Sequence, residues 1–227
     1  MKEIVLYPLL LPEMSHLLYL DTSGSHIHLM VFTEKRILSM IRQDSGNNHA
    51  SQIIPLLNTL MEQAACKPEE LDAVAVLNGP GSYTGLRIAL SAAKAICLHR
   101  NIPLILLSNL DLISHAVSMN AVHMVVLKAR ILEYFVGIYD QEHQHILNPV
   151  LMHESELLEH LEHHSYPCFT NQEEFQVGPF QIQGIKENPE TIQHLVLRAF
   201  DREEFADLGQ SEPFYLKKVH INKINKL

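Results

Sequence analysis

The chain has 227 residues, 47% of them apolar and 19% charged, enough to bury one large core or two small ones. Its 17 basic residues stand against 26 acidic ones, a formal net charge of −9, which disfavours a protein that grips nucleic-acid phosphates by itself. No apolar run reaches the roughly 18 residues that span a bilayer. The three cysteines, Cys66, Cys97 and Cys168, form no Cys-x-x-Cys pair, which fits buried thiols in a reducing cytoplasm.

The first segment, residues 4–12, is oily but interrupted by Pro8, and its one basic flank, Lys2, is offset by Glu3. No signal peptide is expected there. Residues 1–16 read as an extension, with Met14 an alternative start just ahead of the first strand. Residues 17–21, 26–32 and 36–43 are short β-type runs separated by turn residues, and their spacing predicts an antiparallel meander. A helix follows over 49–65, then a buried strand at 73–77, a helix over 84–99 and a strand at 104–107. After a helix from 109 to about 118 the pattern restarts, with strands at 122–127, 133–139 and 145–151, a helix at 154–163, a strand near 166–169 and a helix near 191–200. Two successive units of this order predict a duplicated α/β, ribonuclease H-like fold: a first lobe over 1–108 and a second, degenerate lobe over 109–227.

The loop between the fourth strand and its helix, Asn78-Gly79-Pro80-Gly81-Ser82-Tyr83-Thr84-Gly85-Leu86-Arg87, has the form of an anion site at a helix N-terminus. It lacks the Gly-Lys-Ser/Thr ending that grips a nucleotide phosphate and its magnesium. Asp21-Thr22-Ser23-Gly24-Ser25 forms the first hairpin turn, where an aspartate and small hydroxyls could face phosphate or simply make a good turn. Asp21, Ser23, Gly79 and Gly81 are therefore candidates for a degenerate phosphate site. The matching hairpin of the second unit reads Lys128-Ala129-Arg130-Ile131-Leu132, without glycine, so the closing half of a nucleotide clamp is missing.

Fifteen histidines invite a metal hypothesis, but no cluster has the ligand pattern of a zinc enzyme. His160 and His164 lie four apart with Leu161 where a catalytic glutamate would stand, His26 and His28 share a strand face, and His143 and His145 sit in a turn. All three groups are expected to be solvated non-ligands. No serine or cysteine occupies a nucleophile elbow. No catalytic residue, metal or cofactor is expected.

The first-lobe helices are apolar over more of their circumference than one sheet contact needs. Ile53, Leu57, Leu60 and Met61 on the first, with Ile88, Ala92 and Ala95 on the second, are placed near a partner surface, with some of them necessarily facing the sheet.

The Asp21-Thr22-Ser23 hairpin, the helix start Asn48-His49-Ala50-Ser51-Gln52-Ile53-Ile54-Pro55, the Gly79–Arg87 loop and the ending Glu212-Pro213-Phe214-Tyr215-Leu216 resemble the TsaB (YeaZ) family. The match covers about 16–218 and is most specific in the first lobe. The resemblance implies the actin/hexokinase-like duplicated fold with a decayed nucleotide site. It implies a non-catalytic subunit in the formation of N6-threonylcarbamoyladenosine at position 37 of tRNA. Such a subunit pairs with the catalytic paralogue TsaD through the first-lobe helices, the ATPase TsaE docks on that pair, and tRNA is met only indirectly. Self-association through the same surface is also implied, and no membrane contact. Where relatives often carry Asp-Ala-Arg this chain has Lys128-Ala129-Arg130, which weakens any metal–phosphate role there. The rival readings are an active ATP-dependent phosphotransferase using Asp21 and the glycine loop, and a metallopeptidase.

Overall fold

A computed structural model describes residues 14–46 and 48–214. The proposed extension therefore lies almost wholly outside the described residues, as do Tyr215, Leu216, Lys217 and Lys218. The opening runs form β1 (His16–Asp21), β2 (His26–Phe32) and β3 (Ile37–Asp44), an antiparallel meander with Leu20 opposite Leu29 and Met30 opposite Met40. They are followed by α1 (His49–Ala64), β4 (Leu71–Gly79), α2 (Tyr83–Arg100) and β5 (Leu104–Ser108). β4 runs parallel to β1 and β5, giving the order β3-β2-β1-β4-β5. Parallel neighbours need crossovers, and the helices supply them.

Strict alternation along the strands decides what each face covers. Leu18, Leu20, Leu29, Val31, Val74 and Val76 face α1 and α2, which contribute Ile53, Leu57, Leu60, Ala89, Leu90 and Ala93 to one core. Leu17, Tyr19, Met30, Phe32, Ala75 and Leu77 face the other way into a second core.

The second unit begins with α3 (Asn109–Ala116), then β6 (His123–Lys128), β7 (Glu133–Tyr139), β8 (His145–His153), α4 (Glu154–His163) and β9 (Cys168–Thr170). The order β8-β7-β6-β9 repeats β3-β2-β1-β4, with β6 parallel to β9 as β1 is to β4. The fold is the duplicated ribonuclease H-like, actin/hexokinase-like arrangement of two lobes. The repeat is imperfect where α2 should recur. In its place β10 (Phe175–Val177) and β11 (Phe180–Gly184) form a hairpin turned by Gly178 at φ 56°. This hairpin was not expected, although Phe175, Val177, Phe180 and Ile182 alternate with glutamines in the manner of a half-buried strand pair.

The last helix, α5 (Pro189–Asp201), corrects the expectation that it completes the second unit. Its Ile192, Leu195, Val196 and Ala199 cover the first sheet on the face away from α1 and α2. Conversely Leu110, Ile113 and Val117, from α3 and its end, pack on the second sheet against Val125, Leu127 and Phe169. The helices that follow the two sheets' last strands, α3 after β5 and α5 after β11, are thus exchanged, each packing on the other sheet. At about 1.5–3 kcal/mol per large aliphatic side chain fully buried, this exchange ties the lobes firmly. No described helix is long and apolar enough to cross a membrane.

Candidate functional site

The two lobes enclose a cleft of about 1160 Å³, lined from the first lobe by the β1–β2 turn and the glycine loop and from the second by Lys128, Arg130 and Asn171. Asp21, Ser23 and Gly81 line it together, whereas Gly79 (φ 123°) lies behind, its α-carbon facing the Phe214 carbonyl and Leu86. The Glu212–Phe214 stretch docks there too, Phe214 N–H donating to the Asn78 carbonyl at 2.9 Å.

The glycines of the loop serve close packing. A β-carbon on Gly85 would stand 1.8 Å from the Thr22 carbonyl oxygen, and one on Gly81 would stand 2.7 Å from Ser23 Cβ. Into the space they leave, the β1–β2 turn presses against the start of α2. Ser82 N–H donates to the Ser23 carbonyl at 2.7 Å, the Thr22 hydroxyl donates to the Gly85 carbonyl at 2.6 Å, and Gly85 N–H donates to the Ser82 hydroxyl at 3.2 Å. Two of the backbone donors at this helix start, Ser82 N–H and Gly85 N–H, are thereby committed within the chain.

The cleft floor is a buried polar network. Glu187, in the segment entering α5, has Oε2 3.3 Å from Arg42 Nη1 and 3.5 Å from His28 Nδ1, and Oε1 accepts from Asn171 at 3.2 Å. Asn171 also donates to Asn109 at 3.1 Å, and Asn109 in turn donates to the Pro80 carbonyl at 3.1 Å. The chain of contacts crosses from lobe to lobe. Burial alone would raise Glu187, but hydrogen bonding and charge from His28, helped by Arg42 and Asn171, hold it below the ordinary glutamate range. Asp21 goes the other way: burial first, then the neighbouring Glu187 charge, raise it against the Ser23 N–H bond at 2.6 Å. Burial and the same two carboxylates push Tyr19 up.

His28 is 3% exposed, and its Nε2 has no protein hydrogen-bond partner among the described residues, so the solvated reading of this histidine is overturned. Its place on β2, against Tyr19 of β1 with ring centroids 5.7 Å apart, puts it inside the fold. His26 stays partly accessible beside Ser25, and His160 rests against His164 with centroids 4.5 Å apart. Among the described residues no group of three or more histidine, cysteine or carboxylate side chains is arranged to hold a metal ion. Lys128 sits 4.2 Å over the Phe175 ring, and Glu187, Arg42, Asn109 and Asn171 are site residues that the sequence patterns did not single out. All three free cysteines are buried.

A second concavity lies outside, between α1 and α2. Ile54, Tyr83, Ile88 and Ala92 line it, with Arg87 stacked 4.5 Å over the Tyr83 ring. Ile54 and Tyr83 are 55% and 56% exposed. Of the residues placed near a partner surface, Ile53, Leu57 and Leu60 are buried in the first lobe's own core, because they point at the sheet. Met61, Ile88 and Ala92 are half-buried at its margin and Ala95 is exposed. Ile53 also borders the groove from its floor, and Ile54 is the large apolar residue of α1 that stands most exposed beside it.

Residues 39–166, more than half of the chain, match the family model described as TsaD, tRNA N6-adenosine threonylcarbamoyltransferase. The chain belongs to this family, on its TsaB (YeaZ) side. The Bacillus subtilis protein named tRNA threonylcarbamoyladenosine biosynthesis protein TsaB is 26% identical over 124 residues, 54% of each chain. A Buchnera aphidicola TsaB is 28% identical over 98 residues, 43% of this chain and 46% of the relative. The matches thus span about half the length of these TsaB relatives. A Pseudomonas aeruginosa structure described as similar to peptidase YeaZ superposes with a TM-score of 0.74 at 21% identity, over 89% of this chain and all of the other. That likeness carries the TsaB-type fold.

Proposed function

We propose that this chain is a non-catalytic subunit in the formation of N6-threonylcarbamoyladenosine on tRNA. It acts by pairing with the catalytic paralogue TsaD, with TsaE engaging the pair and tRNA gripped by the partner. The observation that carries the reading is the outward α1–α2 groove around Ile54, Tyr83, Ile88 and Ala92, apolar surface left over after the sheet is covered. Its small residues allow a partner helix to approach closely. A second copy of the chain can use the same face when the paralogue is absent.

Two further facts support the reading. The start of α2 donates Ser82 N–H to the chain's own turn, which leaves a phosphotransferase poorly equipped. A net charge of −9 suits a subunit that leaves tRNA to its partner. The relatives' printed names point to the same pathway. Depletion of the protein in its host, followed by mass spectrometry of tRNA nucleosides, tests the pathway. Loss of threonylcarbamoyladenosine is expected, and an unchanged level would overturn the assignment.

A further inference from the structure

Behind the cleft, α3 is wedged between the lobes, with Leu112 in the core under α5 and Leu110 and Ile113 on the second sheet. Its polar side chains are held by hydrogen bonds whose directions are fixed by chemistry. His115 Nδ1 lies 2.9 Å from the Asp111 carbonyl oxygen, which can only accept, so Nδ1 carries the proton. Nε2 is then an acceptor, and Arg198 Nη1 of α5 donates to it at 3.2 Å. His123 follows the same logic: Nδ1 donates to the Ala121 carbonyl at 3.0 Å, and Nε2 accepts the Ser114 hydroxyl at 2.8 Å. With its one hydrogen committed, Ser114 Oγ accepts from His143 Nδ1 at 3.0 Å.

The rings of His115 and His143 stack with centroids 4.4 Å apart. The remaining charged and titratable neighbours are Asp140 beside His143, and Tyr139 and His145, which both donate to Asp111 Oδ1, at 2.7 and 2.8 Å. His143 is half-buried in its turn and His145 stays exposed, as expected of a solvated pair, but both are bonded to α3.

The Arg198 contact requires neutral His115. A proton on Nε2 would turn the acceptor into a donor aimed at a guanidinium that can only donate. The Ser114 contacts tolerate protonation, because Oγ has two lone pairs that can accept from His123 Nε2 and His143 Nδ1 together while its hydroxyl turns away. We propose that the Arg198–His115 contact is an acid-sensitive latch that holds α3 and α5 together between the lobes.

Burial is the main cause that holds His115 down at about 4, against the Asp111 carbonyl bond, and the His143 and Arg198 charges add to it. Burial likewise lowers His143, with the His123 charge next. An imidazole freed from the latch takes its proton near the ordinary value of about 6.5. Below that pH the detached arrangement binds protons that the latched one refuses, so the latch weakens from about 6.5 down to about 4 and is unaffected above. Partial exposure of His115 trims the effect, leaving an expected rise of roughly tenfold in opening between pH 7.5 and 5.

The test is nitrogen-detected NMR titration of the whole chain, with amide exchange corrected for intrinsic rates at pH 7.5 and 5. His115 is expected as the Nδ1–H tautomer, titrating far below its usual range. Protection in α3 and α5 should fall about tenfold while β1 and β4 hold. His115→Gln, which keeps an acceptor for Arg198 but cannot take the proton, should remove this pH dependence. An Nε2–H tautomer, an ordinary titration, or the same decline in His115→Gln would overturn the latch. Should that variant fail to fold, the tautomer and titration of the unaltered chain decide.

Discussion

The two lobes share a strand order and differ in what closes their inner ends. In the first lobe a helix follows the fourth strand, and its start is bolted to the β1–β2 turn through Thr22, Ser23, Ser82 and Gly85. In the second a short hairpin stands where that helix would be, and the matching turn carries Lys128 and Arg130 instead of an acid and glycines. The difference teaches that a loop of phosphate-site form can serve as a packing device between a turn and a helix start. Among the described residues, the large exposed apolar side chains on helices, Ile54, Tyr83 and Leu98, belong to α1 and α2 of the first lobe, and α2 has no counterpart across the pseudo-symmetry.

The sharpest way to break this comparison is to substitute one glycine in each lobe. Gly85→Ala drives a methyl into the Thr22 carbonyl and should cost at least about 3 kcal/mol in denaturant unfolding. Gly184→Ala, whose new carbon would lie 3.3 Å from the Gln172 carbonyl in the second lobe, should cost less than about 1 kcal/mol. Equal losses would remove the claim that the first-lobe loop is uniquely tight. Next, Leu60→Ala should cost about 2–5 kcal/mol, because that residue is fully buried under α1. Ile54→Glu, on the opposite side of the same helix, should leave unfolding within about 0.5 kcal/mol.

The smallest expected effect is a gain. The Asp21 carboxyl is raised in the folded chain, so its charged form is disfavoured there and stability is lost as pH climbs through the folded value. Asp21→Asn should therefore stabilise by about 0.5–2 kcal/mol at pH 7.5, with the gain vanishing below about pH 4, where both states are protonated. Unfolding curves at the two pH values check the sign, and destabilisation at pH 7.5 would show that the charge is better solvated than the burial of this residue implies.

Much of this arrangement is legible in residue patterns. The alternation in β1, β2 and β4 and the wide apolar arcs of α1 and α2 place the first lobe nearly residue for residue. The crossing of α5 is not legible, because an amphipathic stripe of Ile192, Leu195, Val196 and Ala199 says that a face is buried and not which sheet buries it. The same limit hid the orientation of α1: Ile53 and Ile54 are equally apolar, yet one faces the core and the other solvent. Gly79 and Gly81 looked like ligand cradles because close approach of a neighbouring chain segment and of a phosphate demand the same missing side chain. Glu187 was missed because it lies in an irregular entry to α5 and meets His28, Arg42 and Asn171 only through tertiary folding.

The central claim is that the outward α1–α2 face is a partner surface on a chain whose cleft no longer grips nucleotide phosphate. Calorimetric titration tests it most directly, with purified chain and its Ile54→Glu variant each mixed with the catalytic paralogue and, separately, with ATP and magnesium. Pairing of the unaltered chain, its loss in the variant at unchanged stability, and no ATP binding by the chain alone are predicted. Undiminished pairing of Ile54→Glu, or tight ATP–magnesium binding without a partner, would contradict the account.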